Sequence, residues 1–272
     1  MTTAPFVAEY GVGQPDSVIW LHGALVGGWM WDEQIAALPD YHHLVPDLPG
    51  IGLSAEAVSA GEAGDLDAMA AALVDLCRER CGDRRVHLVG LSLGAVIGLR
   101  MLSQAPERFD RAILSGPLAK PLKGPIAALQ ELVLFLYQRP WGARLVARIL
   151  GLPDDVRDAF LATAAATPAE TYAGLMPEVY RAPLPGADLS AIPNPVLLVT
   201  GDRDSRITRD SVRLLLQRLA NAQGYWADGL GHQWNAEDGE RFSAMVAAWL
   251  TGQPQPPGLS AIARDQTAAR GP

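Results

Sequence analysis

The chain has 272 residues, 49% of them hydrophobic, with 22 basic against 30 acidic side chains and a net charge of −8. This is enough to bury one sizeable core, and it fits one large α/β domain better than two small ones. An acidic chain without a basic cluster argues against binding to nucleic acid or to an anionic membrane surface.

In chain order, the first ten residues lack a basic segment and carry Glu9, so they do not read as a secretory signal. Phe6 to Tyr10 is the first strand candidate. Val18 to Leu21 is a buried-strand pattern, followed by a helical pattern over 30–38 and a strand Leu44 to Pro46 ending at Asp47. A helix over 66–81 carries both cysteines, Cys77 and Cys81. They are too few for a zinc site without nearby histidines and make no disulfide framework, so they read as reduced, partly buried thiols. Val86 to Val89 is a strand, 93–105 a helix and Ala112 to Ser115 a strand. The apolar stretch Val86 to Leu102 is interrupted by His87, Ser92 and Arg100 and is too short for a membrane span.

The alternation then breaks. From about Leu118 to Asp188 there is no strand pattern, only helical stretches at 125–138, 141–150, 154–166 and 168–180. Prolines at 125, 140, 153, 168 and 177 separate or start them. Val196 to Thr200, a helix over 209–220, Gly224 to Ala227 and a helix over 238–250 complete the set. Strands alternating with helices imply a mostly parallel sheet with helices on both faces. The expected organisation is a core of residues 1–117 and 189–250, a helical insertion at 118–188, and a disordered tail at 251–272 that is rich in Pro, Gly, Ala and Gln.

The chemistry centres on Gly90-Leu91-Ser92-Leu93-Gly94, which lies between a strand and a helix pattern. Such a turn is sharp and strained. Its glycines allow close packing, and the serine is lifted above the sheet at a helix N-terminus, where N–H groups favour negative charge. A serine hydroxyl needs a base, and the base needs an orienting acid; in this strand–turn–helix arrangement both follow the serine. Of His22, His42, His43, His87 and His232, only His232 follows Ser92. The acid is expected after the strand Val196 to Thr200, where Asp202 and Asp204 compete; Asp204 is preferred and Asp202 is the fallback. Backbone donors for an oxyanion are expected at Leu93 and Ala24, with His22 holding the second loop in shape.

The segments Leu21-His-Gly-Ala24, Trp29-Met-Trp31, Asp47-Leu-Pro-Gly50, Gly90-x-Ser-x-Gly94, Gly201-Asp-Arg-Asp204 and Gly231-His232 resemble the α/β-hydrolase family in order and spacing, over roughly residues 15–250. The resemblance implies an α/β-hydrolase fold, places the acid three residues after Gly201, and makes 118–188 a cap over the active site. Two departures stand out: a short N-terminus, and Ile51 where histidine often follows Pro-Gly.

A serine nucleophile disfavours the dehalogenase and epoxide-hydrolase branches, which carry aspartate there. The expected activity is hydrolysis of carboxylic esters, thioesters or lactones through an acyl-enzyme, with Ser92, Asp204 and His232 catalytic. No metal or other cofactor is expected. The alternatives are lyase or carbon–carbon bond chemistry on the same groups, and a non-enzymatic binder on the same scaffold. Leu132, Phe135, Trp141, Tyr172, Met176, Trp29 and Trp234 are candidates for an apolar substrate pocket or for plain packing. The expected partner is a small, apolar acyl compound, with neither nucleic acid nor membrane, and the expected compartment is the cytoplasm.

Overall fold

The computed structural model describes residues 4–57, 65–149 and 152–264. Its strands are β1 (Val7–Tyr10), β2 (Ser17–Leu21), β3 (His42–Pro46), β4 (Val86–Leu91), β5 (Phe109–Ser115), β6 (Val196–Gly201), β7 (Ala222–Ala227) and β8 (Leu259–Ala261). The helices are α1 (Asp32–Ala37), α2 (Leu66–Cys81), α3 (Leu93–Gln104), α4 (Pro125–Tyr137), α5 (Pro140–Ile149), α6 (Asp154–Ala166), α7 (Ala169–Arg181), α8 (Arg206–Arg218), α9 (Trp234–Glu237) and α10 (Gly239–Thr251).

One sheet runs in the order β1-β3-β2-β4-β5-β6-β7-β8. Its six inner strands are parallel, and the edge strands β1 and β8 pair antiparallel with β3 and β7. Pleating sends alternate residues to opposite faces. Ile19, Leu21, Leu88, Leu114 and Leu198 enter the core shared with α2, α3 and α8. Val18, Trp20, Val89, Ile113, Leu197 and Val199 enter the core shared with α1, α9 and α10. Burial on both faces explains why these strands read as unbroken apolar runs. Trp20 is fully buried, with its ring centroid 5.1 Å from that of Trp31. Burying a ring of that size contributes roughly 4–6 kcal/mol before entropy is counted.

Local signals set the helix ends. Asp65 caps α2 by accepting from the Asp67 and Ala68 N–H groups, Ser205 caps α8, and Asp238 caps α10. The insertion between β5 and β6 contains α4, α5, α6 and α7. Buried Arg100 of α3 ties its last helix down, donating to the carbonyls of Ala182 and Pro183 at the end of α7. A cation is favourable at that negative end of the helix dipole.

Several expectations change. The tail, expected to be disordered from residue 251, is ordered through 264. α10 ends at Thr251, β8 extends the sheet, and the Arg264 guanidinium donates to the carbonyls of Leu219, Ala220 and Ala222. Backbone pairing at a sheet edge needs few large side chains, so composition hid this strand. Residues 265–272 of the expected tail lie outside the described residues, as does residue 150 of the helix expected at 141–150. The pattern at 30–38 divides into a 3-10 turn, Gly28–Trp31, and α1. Pro177 lies inside α7 rather than at a boundary, in a helix whose Tyr172, Leu175, Met176 and Val179 are buried. Cys77 and Cys81 are free and fully buried, and burial pushes the Cys77 thiol up. Among the described residues no helix is long and apolar enough to cross a membrane.

Two buried imidazoles accept hydrogen bonds and are therefore neutral. His22 Nε2 accepts from the Leu48 N–H at 2.8 Å, and His43 Nδ1 accepts from the Trp20 indole N–H at 3.0 Å. Burial holds both below the usual histidine range, and His87 is shifted the same way for the same reason. The unfolded chain binds protons near pH 6.5 that these folded rings refuse. Their contribution to stability is complete above that pH and is lost as the pH falls through it. Thermal melting between pH 8 and 5 should therefore show a plateau above about 7 and a falling Tm below about 6.5. A flat profile across that range would contradict the neutral assignments.

Candidate active site

The parallel strands all end on one side of the sheet, and β3 and β4 lie on opposite flanks of β2. A crevice opens at such a switch point, beyond the carboxyl ends of the strands. Leu21 pairs with Gly90, so the loops after β2 and β4 leave the sheet side by side. The loops after β6 and β7 reach the same crevice.

After β4 the chain turns sharply into α3. Ser92 sits at φ +56°, ψ −113°, outside the ordinary regions for a residue with a side chain. Its N–H donates to the Ser115 carbonyl at 2.8 Å, and its carbonyl accepts from Ala95 and Val96. The flanking glycines are required by space. A Cβ on Gly90 would lie 2.6 Å from the Gly94 carbonyl oxygen, and one on Gly94 would strike the Leu21 and His22 carbonyls. The strain at Ser92 is held by this contact of helix on strand.

The loop after β2 is pinned at three points. His22 donates through Nδ1 to the Gly23 carbonyl and accepts from Leu48, Asp47 accepts from the Gly28 and Leu53 N–H groups, and the Tyr172 hydroxyl of α7 accepts from the Leu25 N–H at 2.9 Å. Leu25 itself has φ +70°. His22 thus has the loop-holding position expected of it, and Ala24 lies between the pins.

Past β7, His232 Nδ1 lies 2.7 Å from Asp204 Oδ2. Asp204 is buried, and the same oxygen accepts from the Thr200 hydroxyl at 2.6 Å while Oδ1 accepts from the Ser205 N–H. Burial alone would raise its pKa. The His232 bond, the histidine's charge, Thr200 and Ser205 outweigh it and hold the carboxyl below its usual range. Asp202 points elsewhere, accepting from the Gly229 N–H at 2.9 Å. Between the two acids of this loop, the structure joins Asp204 to the histidine.

The histidine loop is seated by groups that pattern reading passed over. Fully buried Trp234 donates through its indole N–H to the Ser115 hydroxyl at 2.9 Å. A Cβ on Gly116, whose φ is +57°, would lie 2.8 Å from His232 Cε1. Gly116 directly follows β5, and its missing side chain is the space the imidazole uses.

Two cavities of about 240 and 130 Å³ flank Ser92. They share Ala24, Ser92, Gln130, Met176, Tyr180 and His232 as walls, and Leu93 lines the smaller one. Of the seven residues named as pocket candidates, only Met176 lines them. Leu132, Phe135 and Trp141 are exposed on the outside of the insertion, while Tyr172 and Trp234 are buried in packing. Trp29 lines a separate groove and bonds Thr163 of α6. Helical periodicity finds an apolar stripe but not the direction in which it faces. Tyr180, Gln130 and Met30 were missed because no motif carries them.

The model of the alpha/beta hydrolase family matches residues 18–245. RutD of Stutzerimonas stutzeri strain A1501, provisionally named a carbamate hydrolase, is 26% identical over 263 residues, covering 90% of this chain and 96% of that protein. The 2-hydroxy-6-oxo-6-phenylhexa-2,4-dienoate hydrolase of Burkholderia cepacia is 32% identical over 136 residues, 47% of this chain and 46% of its own. The crystal structure of the enol-lactonase from Burkholderia xenovorans LB400 superposes with a TM-score of 0.74 at 21% identity, over 90% of this chain and 96% of that one, a likeness of fold. With the family's model spanning most of the sheet and all the loops that meet at Ser92, this chain belongs to the alpha/beta hydrolase family.

Proposed function

We propose that the protein is a serine hydrolase of small, uncharged acyl compounds (esters, thioesters or lactones) acting through an acyl-enzyme. The carrying observation is the 2.7 Å bond from His232 Nδ1 to buried Asp204, on a ring that walls the same cavities as strained Ser92. With the Nδ1 proton engaged by the carboxylate, the Nε2 lone pair is left to take the Ser92 proton as the hydroxyl attacks the acyl carbon. The N–H groups of Ala24 and Leu93 receive the developing oxyanion, the second at the N-terminus of α3. His232 then protonates the leaving group, and water releases the acyl-enzyme. The α4–α7 insertion acts as a cap, supplying Gln130, Met176 and Tyr180 to the cavity walls.

One observation weighs against carbon–carbon bond hydrolysis of an anion such as the dienoate in the Burkholderia cepacia relative's name. Among the described residues, no Lys or Arg lines either cavity flanking Ser92. A buried carboxylate without a cationic partner carries a heavy desolvation cost.

A fluorophosphonate probe should label the protein at Ser92, with the adduct located by mass spectrometry. Ser92→Ala should fold normally and lose on the order of 10⁶ in kcat on neutral short-chain esters. An unlabelled folded protein, or unchanged turnover in Ser92→Ala, would refute the reading.

The two acids of the β6 loop should separate cleanly. Asp204→Asn should cost on the order of 10⁴ in kcat by favouring the wrong imidazole tautomer. Asp202→Asn still offers a carbonyl oxygen to the Gly229 N–H and should stay within a few-fold of the parent; the reverse ranking would displace Asp204 from its role.

Gly116→Ala introduces a side chain where the His232 ring sits and a left-handed alanine, a strain of about 1–2 kcal/mol. Its kcat should fall at least about tenfold while KM changes little, since the alanine meets the base rather than the acyl pocket. A parental kcat would show that the imidazole does not need that space.

A further inference from the structure

We propose that the outer surface of α4 and α5 docks the protein onto an anionic phospholipid bilayer. The sequence 120–149 holds five of the chain's 22 basic residues, Lys120, Lys123, Arg139, Arg144 and Arg148, against one of its 30 acidic residues, Glu131; Lys120, ahead of α4, is paired with Asp210 at 3.7 Å, which leaves four for the patch. The acidic whole-chain balance conceals this local reversal. The same segment exposes large apolar side chains that a water-facing helix normally lacks. Leu132 is 51% exposed, Phe135 50%, Trp141 59% and Ile149 73%.

The pattern on α5 is regular. Gly142, Ala143, Val146 and Ala147 are buried against the neighbouring helices, and Trp141, Arg144, Leu145, Arg148 and Ile149 form the opposite, exposed stripe. A stripe mixing Trp, Leu and Ile with arginines is the composition of a helix lying in a lipid–water interface. The apolar groups enter the acyl boundary while the guanidinium groups remain among the phosphates. Arg144 and Arg148 have no acidic partner among the described residues, so their charge is available to an anionic surface. At the corner of the two helices, the Arg139 guanidinium lies over the Phe135 ring, 3.3 Å from its centroid. That stack keeps a cation and an apolar ring together at the same surface point.

Charge decides between a bilayer and a second copy of the chain. In a symmetric contact each patch meets itself, which would set arginines against arginines. An anionic bilayer presents the complementary sign at every point of the patch. The placement also has a consequence for access. α4 walls the larger cavity through Gln130, Val133 and Leu134, so a docked hairpin sets the cavity beside the membrane surface. An apolar acyl compound dissolved in lipid would then have a short path to Ser92; this last step rests on the hydrolase reading, whereas docking does not.

The test is co-sedimentation of the full chain with sucrose-loaded vesicles of phosphatidylcholine, with and without 30% phosphatidylglycerol. The protein should pellet with the anionic vesicles at low salt, be released as salt is raised, and stay in solution with neutral ones. Arg144→Glu with Arg148→Glu should weaken partitioning on the order of thirtyfold or more. Trp141→Ser with Ile149→Ser should weaken it independently of salt. All variants should hydrolyse a water-soluble short-chain ester at the parental rate, which also shows that they are folded. Sedimentation reads docking without reference to turnover, so it fails separately from the acyl-hydrolase reading. Three results would overturn the proposal: a parent protein that remains in solution with anionic vesicles, variants that bind as well as the parent, or a concentration-dependent dimer by light scattering that these variants abolish.

Discussion

At the start of α3 a helix is packed onto the end of a neighbouring strand more closely than side chains permit. Gly94 faces the carbonyls of Leu21 and His22, and Gly90 faces Gly94 across the turn. With no Cβ at either place, α3 starts directly over the end of β2, and the residue between must take up the change of direction. Ser92 does so at φ +56°. A positive φ with ψ −113° at a residue with a side chain persists only where its surroundings over-determine it. Here those surroundings are the bond from the Ser92 N–H to Ser115 and the seating of α3 in the core. The same contact brings the loop after β2 against the serine, since His22 is part of the surface on which Gly94 rests.

The other half of the site depends on a second set of close approaches at the far side of the crevice. Gly201 ends β6 against the Leu230 and Gly231 carbonyls, so the acid loop and the histidine loop touch backbone to backbone. Gly116 leaves room for the imidazole, and Trp234 anchors the loop through Ser115. Ser115 therefore serves both halves, accepting the Ser92 N–H with its carbonyl and the Trp234 indole with its hydroxyl. The end of β5 is a spacer between the serine and the histidine, although it contributes no group to the proposed chemistry.

The insertion performs two tasks with two faces. Its inner face closes the cavities with Gln130, Leu134, Met176 and Tyr180 and pins the β2 loop through Tyr172. Its outer face remains apolar and basic in an otherwise acidic protein. Net charge is a property of the whole chain, but the field near a surface is set within about a Debye length of it, roughly 8–10 Å at physiological salt. A composition-level argument against membranes therefore says little about a single helical hairpin.

By itself the sequence determined the fold family and most of the order of strands and helices, and it singled out Ser92 and His232 as candidates, because those depend on local chemistry. Buried parallel strands are written as apolar runs, the strand–turn–helix at Ser92 as two spaced glycines, and His232 is alone in following the serine. Asp202 and Asp204 lie on one loop with only Arg203 between them, and residue type cannot distinguish them. Only the folded loop shows one bonded to His232 and the other to Gly229. Tertiary structure also decided which apolar side chains meet the cavity. Phe135 and Leu134 are adjacent on α4 and equally hydrophobic, yet one is half exposed and the other lines the site. It decided too that the tail adds a strand at Leu259–Ala261, since edge pairing is made by backbone groups that every residue carries. Periodicity records that a side chain has a preferred side; which side faces the core is set by contacts between segments far apart in the chain, and those exist only once it has folded.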